Sequence, residues 1–203
     1  MKLVCLDLEG VLIPEIWIAV AEATGIQALC RTTRDEPDYD TLMRFRLDLL
    51  KQYDLKLPDI TRVISGMEPL EGAVKFVRVL RERTQLIILS DTYQEFAGPL
   101  IAKLGYPTLF CNSLITSADG SITGYTLRQA NGKKHAVAAF KSLNIAVFAA
   151  GDSFNDLAMI AEAGNGCLFK APRSIRETYR QIPCVDSYAG LLDCIDGFLV
   201  ENA

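Results

Sequence analysis

Over most of the chain, short unbroken apolar runs are separated by stretches in which apolar residues recur every three or four positions. The runs fall at 3–8, 86–89, 108–111, 145–150 and 166–169, each bounded by turn-forming residues. A strand covered on both faces of a parallel sheet reads as such a run, because neither side alternates with solvent. Helical spacing occupies 71–83, 93–104, 134–143, 154–163, 172–180 and 188–199. Strand alternating with helix predicts an α/β fold, a doubly wound parallel sheet with right-handed crossovers and helices on both faces. Ligands of such sheets gather beyond the carboxyl ends of the strands, where the strand order reverses. Asp7, Ser90 and Asp152 all stand at predicted strand ends.

Two intervals break the alternation. Residues 15–67 carry three helical patterns (15–23, 39–52 and 58–65) with no strand between them, which predicts a small all-helical insertion after strand 1. The expected division is an α/β core of 1–14 and 70–203 with a helical domain of 15–69. Leu42, Phe45, Leu49 and Tyr53 repeat at helical spacing and read as a packing face, whereas periodicity does not place Arg44 and Arg46. At 113–127, Ala118-Asp119-Gly120 lies between two β-like segments and predicts a short β-hairpin insertion.

Composition narrows the function. The chain has 203 residues, half of them hydrophobic, which is enough for one good core plus a small inserted module. A formal net charge of -4 argues against nucleic acid or an anionic membrane as partner, since either needs a broad basic field. No apolar run reaches the length of a membrane span. The six cysteines form no C-x-x-C pair, and the start runs directly into a strand, so a reduced, cytoplasmic protein is expected. Cys5, Cys111 and Cys167 read as small buried hydrophobes. The single histidine, His135, stands in a lysine-rich helix start and reads as a surface residue, which disfavours multi-histidine zinc sites and a Ser-His-Asp triad. No pattern selects between a monomer and a homodimer.

The candidate chemistry lies in Asp7-x-Glu9, Ser90, Lys133 and Gly151-Asp152-Ser153-Phe154-Asn155-Asp156. Two acidic clusters at opposite ends of the chain make sense if folding brings them to one hard cation. Magnesium suits one or two carboxylates supplemented by water and substrate phosphate oxygens. Asp7 would be a nucleophile that stores the phosphoryl group as an acyl phosphate. Mg2+ held by Asp7 and Asp152, with the Lys133 ammonium as a point charge, would neutralise the meeting of two anions. Ser90 supplies a short donor to phosphate. Glu9, two residues along an extended segment, projects from the same side as Asp7 and serves as general acid and base. Taken singly, each motif is commonplace. Their order at the strand exits is what points to phosphoryl transfer, and the presence of Asp7, Lys133 and Asp152 argues against a non-catalytic phospho-ligand sensor.

These pieces together resemble the haloacid dehalogenase superfamily, and within it the phosphoserine phosphatase branch, whose final motif is similar to 151–159 and whose small cap the helical insertion resembles. The resemblance implies metal ligands at Asp7, the backbone carbonyl of Glu9, and Asp152, with Asp156 ordering a metal-bound water. It implies phosphate contacts from Ser90, Lys133 and Asn155, with Lys134 the rival of Lys133. Glu15 and Arg46 look like the cap residues that hold a substrate ammonium and carboxylate, a division of labour that suits an amino-acid zwitterion.

Two departures stand out: Glu9 where the usual phosphatase has aspartate, and Ser90-Asp91-Thr92 where it has Ser-Gly-Gly. Asp91 and Thr92 are therefore placed with Ser90 on the phosphate side. Asp-Leu-Glu-Gly-Val, Leu-Ser-Asp-Thr, Pro14-Glu15-Ile16-Trp17, Thr32-Thr33-Arg34-Asp35 and Gly124-Tyr125-x-Leu127-Arg128-Gln129 look instead like the phosphoserine:homoserine phosphotransferases of that branch. The resemblance covers nearly the whole chain. It implies L-phosphoserine as donor and both water and L-homoserine as acceptors, the alternative being a phosphatase alone, for phosphoserine or another small phosphomonoester.

Overall fold

The computed structural model describes residues 1–33, 35–36 and 38–201. Arg34, part of one resembling segment, lies outside the described residues. Seven strands form one sheet in the order β4-β3-β2-β1-β5-β6-β7. They are β1 (Lys2–Leu6), β2 (Gln85–Tyr93), β3 (Thr108–Thr116), β4 (Ile122–Thr126), β5 (Ala146–Gly151), β6 (Asn165–Phe169) and β7 (Cys184–Val185). All neighbours pair in parallel except β3 and β4.

The central strands are mostly apolar because the sheet is covered on both faces. Val4, Leu6, Phe148, Ala150, Cys167 and Phe169 face one core, which α4 (Ala73–Arg83), α5 (Gln94–Lys103) and α9 (Tyr188–Val200) help to build through Phe76, Leu80, Phe96, Leu100, Leu191 and Ile195. Leu3, Cys5, Val147, Ala149 and Leu168 face the other, built with α6 (Gly132–Ser142), α7 (Leu157–Ala163) and α8 (Arg173–Thr178). Successive residues of β1 thus serve opposite cores, as a period of two requires. The chain passes from β1 to β2 on one side and later returns through β5 on the other, so the reversal of strand order lies at β1.

Between β1 and α4 the described residues form helices and no strand: α1 (Ile16–Thr24), a 3-10 turn (Gln27–Cys30), α2 (Tyr39–Gln52) and α3 (Leu57–Gly66). In α2 the buried face is Leu42, Met43, Arg46, Leu49 and Leu50. Tyr53, expected in the packing stripe, is exposed, because it follows the helix as its C-cap and leaves the covered face.

Strand β1 stops at Leu6, one residue before Asp7, and two other strands run well past their expected ends. Strand β3 continues past Cys111 without a break into the hairpin, whose second arm β4 becomes the edge of the sheet. The hairpin turn reaches the helical segment: Leu57 N donates to Gly120 O at 2.9 Å, and Lys56 pairs with Asp119 at 3.0 Å. Strand β2 does not end before Ser90. Its register with β3 shifts between Leu89, opposite Phe110, and Tyr93, opposite Asn112, so Ser90, Asp91 and Thr92 form a bulge. Such bulges re-aim side chains beside functional sites.

Candidate active site

The exits of β1, β2 and β5 converge on one cavity of about 80 Å³. Its walls include Asp7, Glu9, Ser90, Asp91, Thr92, Lys133, Asp152 and Asn155 from the sheet side, and Glu15 and Arg46 from the helical segment. Every site residue expected from the sequence lines it except Asp156, which is buried just behind.

Asp7, Asp152 and Asp156 each offer a carboxylate oxygen within 4.8 Å of the others, and all three are buried. Two glycines make this crowding possible. Gly10 has φ +76°, and a Cβ there would lie 2.5 Å from the Asp152 carboxylate; a Cβ at Gly151 would lie 2.1 Å from Asp156. The hard oxygen donors and their close grouping fit a small divalent cation such as magnesium. Asp156 is held rigidly: one oxygen accepts from Lys133 Nζ at 2.7 Å, the other from the backbone NH groups of Asp152 and Ser153 at 3.1 Å. It caps the turn that aims Asp152.

Lys133 is buried, and its ammonium stands 2.8 Å from Asp7 as well as 2.7 Å from Asp156. Lys134, the other lysine considered from the sequence, is exposed and does not line the cavity. Burial by itself would lower the Lys133 pKa, but Asp156, Asp7 and Asp91 more than offset it and hold the ammonium charged. Burial raises the Asp7 pKa well above the usual range, and the Asp156 charge adds to the effect. An acidic cluster with one buried cation leaves excess negative charge that a bound metal would relieve.

Glu9 lines the same cavity but lies outside the close group of three aspartates. Its Oε2 accepts from Ile16 N at 2.9 Å, and its pKa is pushed up to about 7 by burial and then by the Glu15 charge. Its carboxylate is thus not part of the metal cluster, and the link to a metal that the resemblance implies rests on its backbone carbonyl. Arg46 is 7 % exposed, its guanidinium 4.7 Å from the Trp17 ring centroid. Nη2 donates to Arg31 O at 2.9 Å, while Nε is buried without a hydrogen-bond partner. A buried cation with an unsatisfied donor, facing a cavity, is poised for an anionic partner. Arg44 is exposed and pairs with Asp40.

On the bulge, Ser90 Oγ accepts from Thr92 N at 3.2 Å, and Thr92 Oγ1 is buried without a partner. Asp91 Oδ2 accepts from Asn155 Nδ2 at 2.9 Å and lies 3.9 Å from Lys133 Nζ. Trp17, Thr32, Thr33, Tyr39 and Tyr93 also line the cavity; Trp17, Thr32 and Thr33 fall in segments that carry the resemblance, but the sequence assigned none of the five a role in the site. Tyr39 and Tyr93 meet through their hydroxyls at 2.7 Å, joining α2 to β2. His135 is exposed, all six cysteines are free thiols, and no described helix is long and apolar enough to cross a membrane.

The haloacid dehalogenase-like hydrolase family, which this doubly wound sheet with acidic residues at the exits of β1 and β5 fits, matches residues 1–164. The chain belongs to that family and is an enzyme. Phosphoserine phosphatase ThrH of Pseudomonas aeruginosa is 54% identical over 191 residues, spanning 94% of this chain and 93% of that protein. Phosphoserine phosphatase of Pseudomonas syringae pv. tomato is also 54% identical, over 93% of this chain and 79% of that one. A solved phospho-aspartyl intermediate analogue of phosphoserine phosphatase superposes with a TM-score of 0.78 over 95% of this chain and 97% of that one. At 24% identity, that likeness is one of fold.

Proposed function

We propose that the enzyme is a magnesium-dependent phosphatase of L-phosphoserine that also passes the phosphoryl group to L-homoserine. The observation that carries this reading is the placement of Glu15 and Arg46 in the same small cavity as Asp7. A cavity of about 80 Å³ lined by these groups suits a compact phosphomonoester. Arg46 would fork onto the substrate carboxylate, and Glu15 would receive its ammonium. The two relatives named as phosphoserine phosphatases support the same substrate.

In the first half-reaction an Asp7 oxygen bonds to phosphorus, the bond from phosphorus to the serine oxygen breaks, and that oxygen takes a proton from Glu9. In the second, Glu9 takes a proton from water or from the homoserine hydroxyl, whose oxygen attacks phosphorus and releases Asp7. Lys133 screens Asp7 from the approaching anion, and Ser90, Thr92 and Asn155 donate to the phosphoryl oxygens. Asp7 and Asp152, with Asp156 behind them, would hold the magnesium, which supplies charge neutralisation at those oxygens.

Residues 15–69 serve in this reading as a cap over a core of 1–14 and 70–203. The two connections run side by side, with Leu70 N donating to Leu12 O at 2.9 Å. Closure limits water, and homoserine competes because the same clamp holds its amino and carboxyl groups. Its extra methylene is worth only about 1–3 kcal/mol of discrimination. Incubating the enzyme with phosphoserine, with and without homoserine, tests the proposal: phosphohomoserine is expected alongside inorganic phosphate. Inorganic phosphate alone reduces the activity to hydrolysis, and intact phosphoserine overturns it.

A further inference from the structure

Asp91 places a carboxylate beside the groups that must receive phosphate. Its Oδ2 accepts from Asn155 Nδ2 at 2.9 Å and stands 3.9 Å from Lys133 Nζ. Lys133 is itself 2.8 Å from Asp7. A phosphate brought to Asp7 therefore comes within a few ångströms of the Asp91 charge and competes with it for the same lysine and amide. Like charges at such range repel strongly where water is scarce.

The geometry confines any response to the side chain. The Asp91 backbone carbonyl accepts from Tyr39 OH at 3.1 Å and from Asn112 Nδ2 at 3.1 Å, which fixes the main chain of the bulge. The side chain is 42% exposed. Beside it lies a second cavity of about 470 Å³, which shares Asp91, Lys133 and Asn155 with the reaction cavity and is also walled by Gln129, Asn131 and Lys134. Asp91 thus borders both cavities, and its half-exposed side chain has open space to turn into without moving the main chain.

We propose that the Asp91 carboxylate is a latch that occupies Asn155 and faces Lys133 until an incoming phosphate dianion displaces it. The latch satisfies the amide and the ammonium while the site is empty, and it weakens the hold on inorganic phosphate once the reaction is over. Asp91 acts in this as a positioning residue that sets phosphate affinity. The inference rests on the proposed function only in taking Asp7 as the group that phosphate approaches.

The test is calorimetric titration of inorganic phosphate into the magnesium-loaded full chain, for wild type, Asp91→Asn and Asp91→Ala. Asparagine keeps the shape and a hydrogen bond to Asn155 but removes the charge. Both variants should bind phosphate about three- to tenfold more tightly than wild type. Unchanged or weaker binding in Asp91→Asn overturns the latch, and should Asp91→Ala misfold, the isosteric variant decides alone. General structural damage loosens phosphate, so tightening is not its signature. A direct contact between Asp91 and the substrate ammonium would instead raise the KM for phosphoserine and leave phosphate affinity as it was, which also overturns the latch. No phosphoserine is used in the titration, so failure of the substrate assignment leaves this result readable.

Discussion

The Lys133 ammonium lies 2.8 Å from the Asp7 carboxylate, with both groups nearly sealed from solvent. A lysine buried between Asp7 and Asp156 is held there by charge and not by packing. Lys133→Met removes the cation and leaves the carboxylates uncompensated. Breaking a buried pair in this way should cost about 3–5 kcal/mol of folding stability, read by urea unfolding in the presence of a chelator. Activity should fall by about 10²–10³ or more, read as kcat with phosphoserine at saturating magnesium. A variant as stable and as active as wild type would remove Lys133 from the site.

Gly10 links backbone shape to metal affinity. Gly10→Ala places a methyl group 2.5 Å from the Asp152 carboxylate, at a φ of +76° that L-residues avoid. Wild type should gain about 2.7 kcal/mol of stability when magnesium is at a hundredfold its dissociation constant. In Gly10→Ala, with Asp152 pushed aside, most of that gain should vanish. Thermal unfolding of both proteins with and without magnesium checks this.

Arg46 should separate recognition from chemistry. Arg46→Ala should raise the KM for phosphoserine by about 10²-fold, the loss expected of a charged hydrogen-bonding fork. Phosphoethanolamine, which has no carboxylate, should be turned over with nearly unchanged kcat/KM. Because the guanidinium also covers Trp17 at 4.7 Å, some loss of stability should accompany the substitution. Steady-state kinetics on the two substrates give the comparison. Equal losses on both would place Arg46 in the scaffold.

Much of this site is legible in the chain because buried parallel strands stand out as unbroken apolar runs. A carboxylate at the end of such a run sits where a doubly wound sheet gathers its ligands, so Asp7 and Asp152 can be picked out, and so can the insertion that brings Glu15 and Arg46. Periodicity alone does not choose Arg46 over Arg44 or Lys133 over Lys134, since neighbours on one helix differ by a rotation that only tertiary packing fixes. Resemblance to known motifs supplies those assignments. Tyr39 and Tyr93 carry no signal of their own, because an aromatic lining a cavity has the same spacing as one filling a core. The bulge at Ser90–Asp91–Thr92 has no sequence signature beyond its missing glycines, and β7 is too short, at two residues, to register as a run.

Covalent attachment of phosphorus to Asp7 is the step on which the proposed chemistry depends. The direct measurement is mass spectrometry of the peptide containing Asp7 after acid quenching of a single turnover with phosphoserine. A phosphoryl adduct on Asp7 that hydroxylamine removes, absent from Asp7→Asn, is the predicted result. Turnover without such an adduct, or an adduct on another residue, would contradict it.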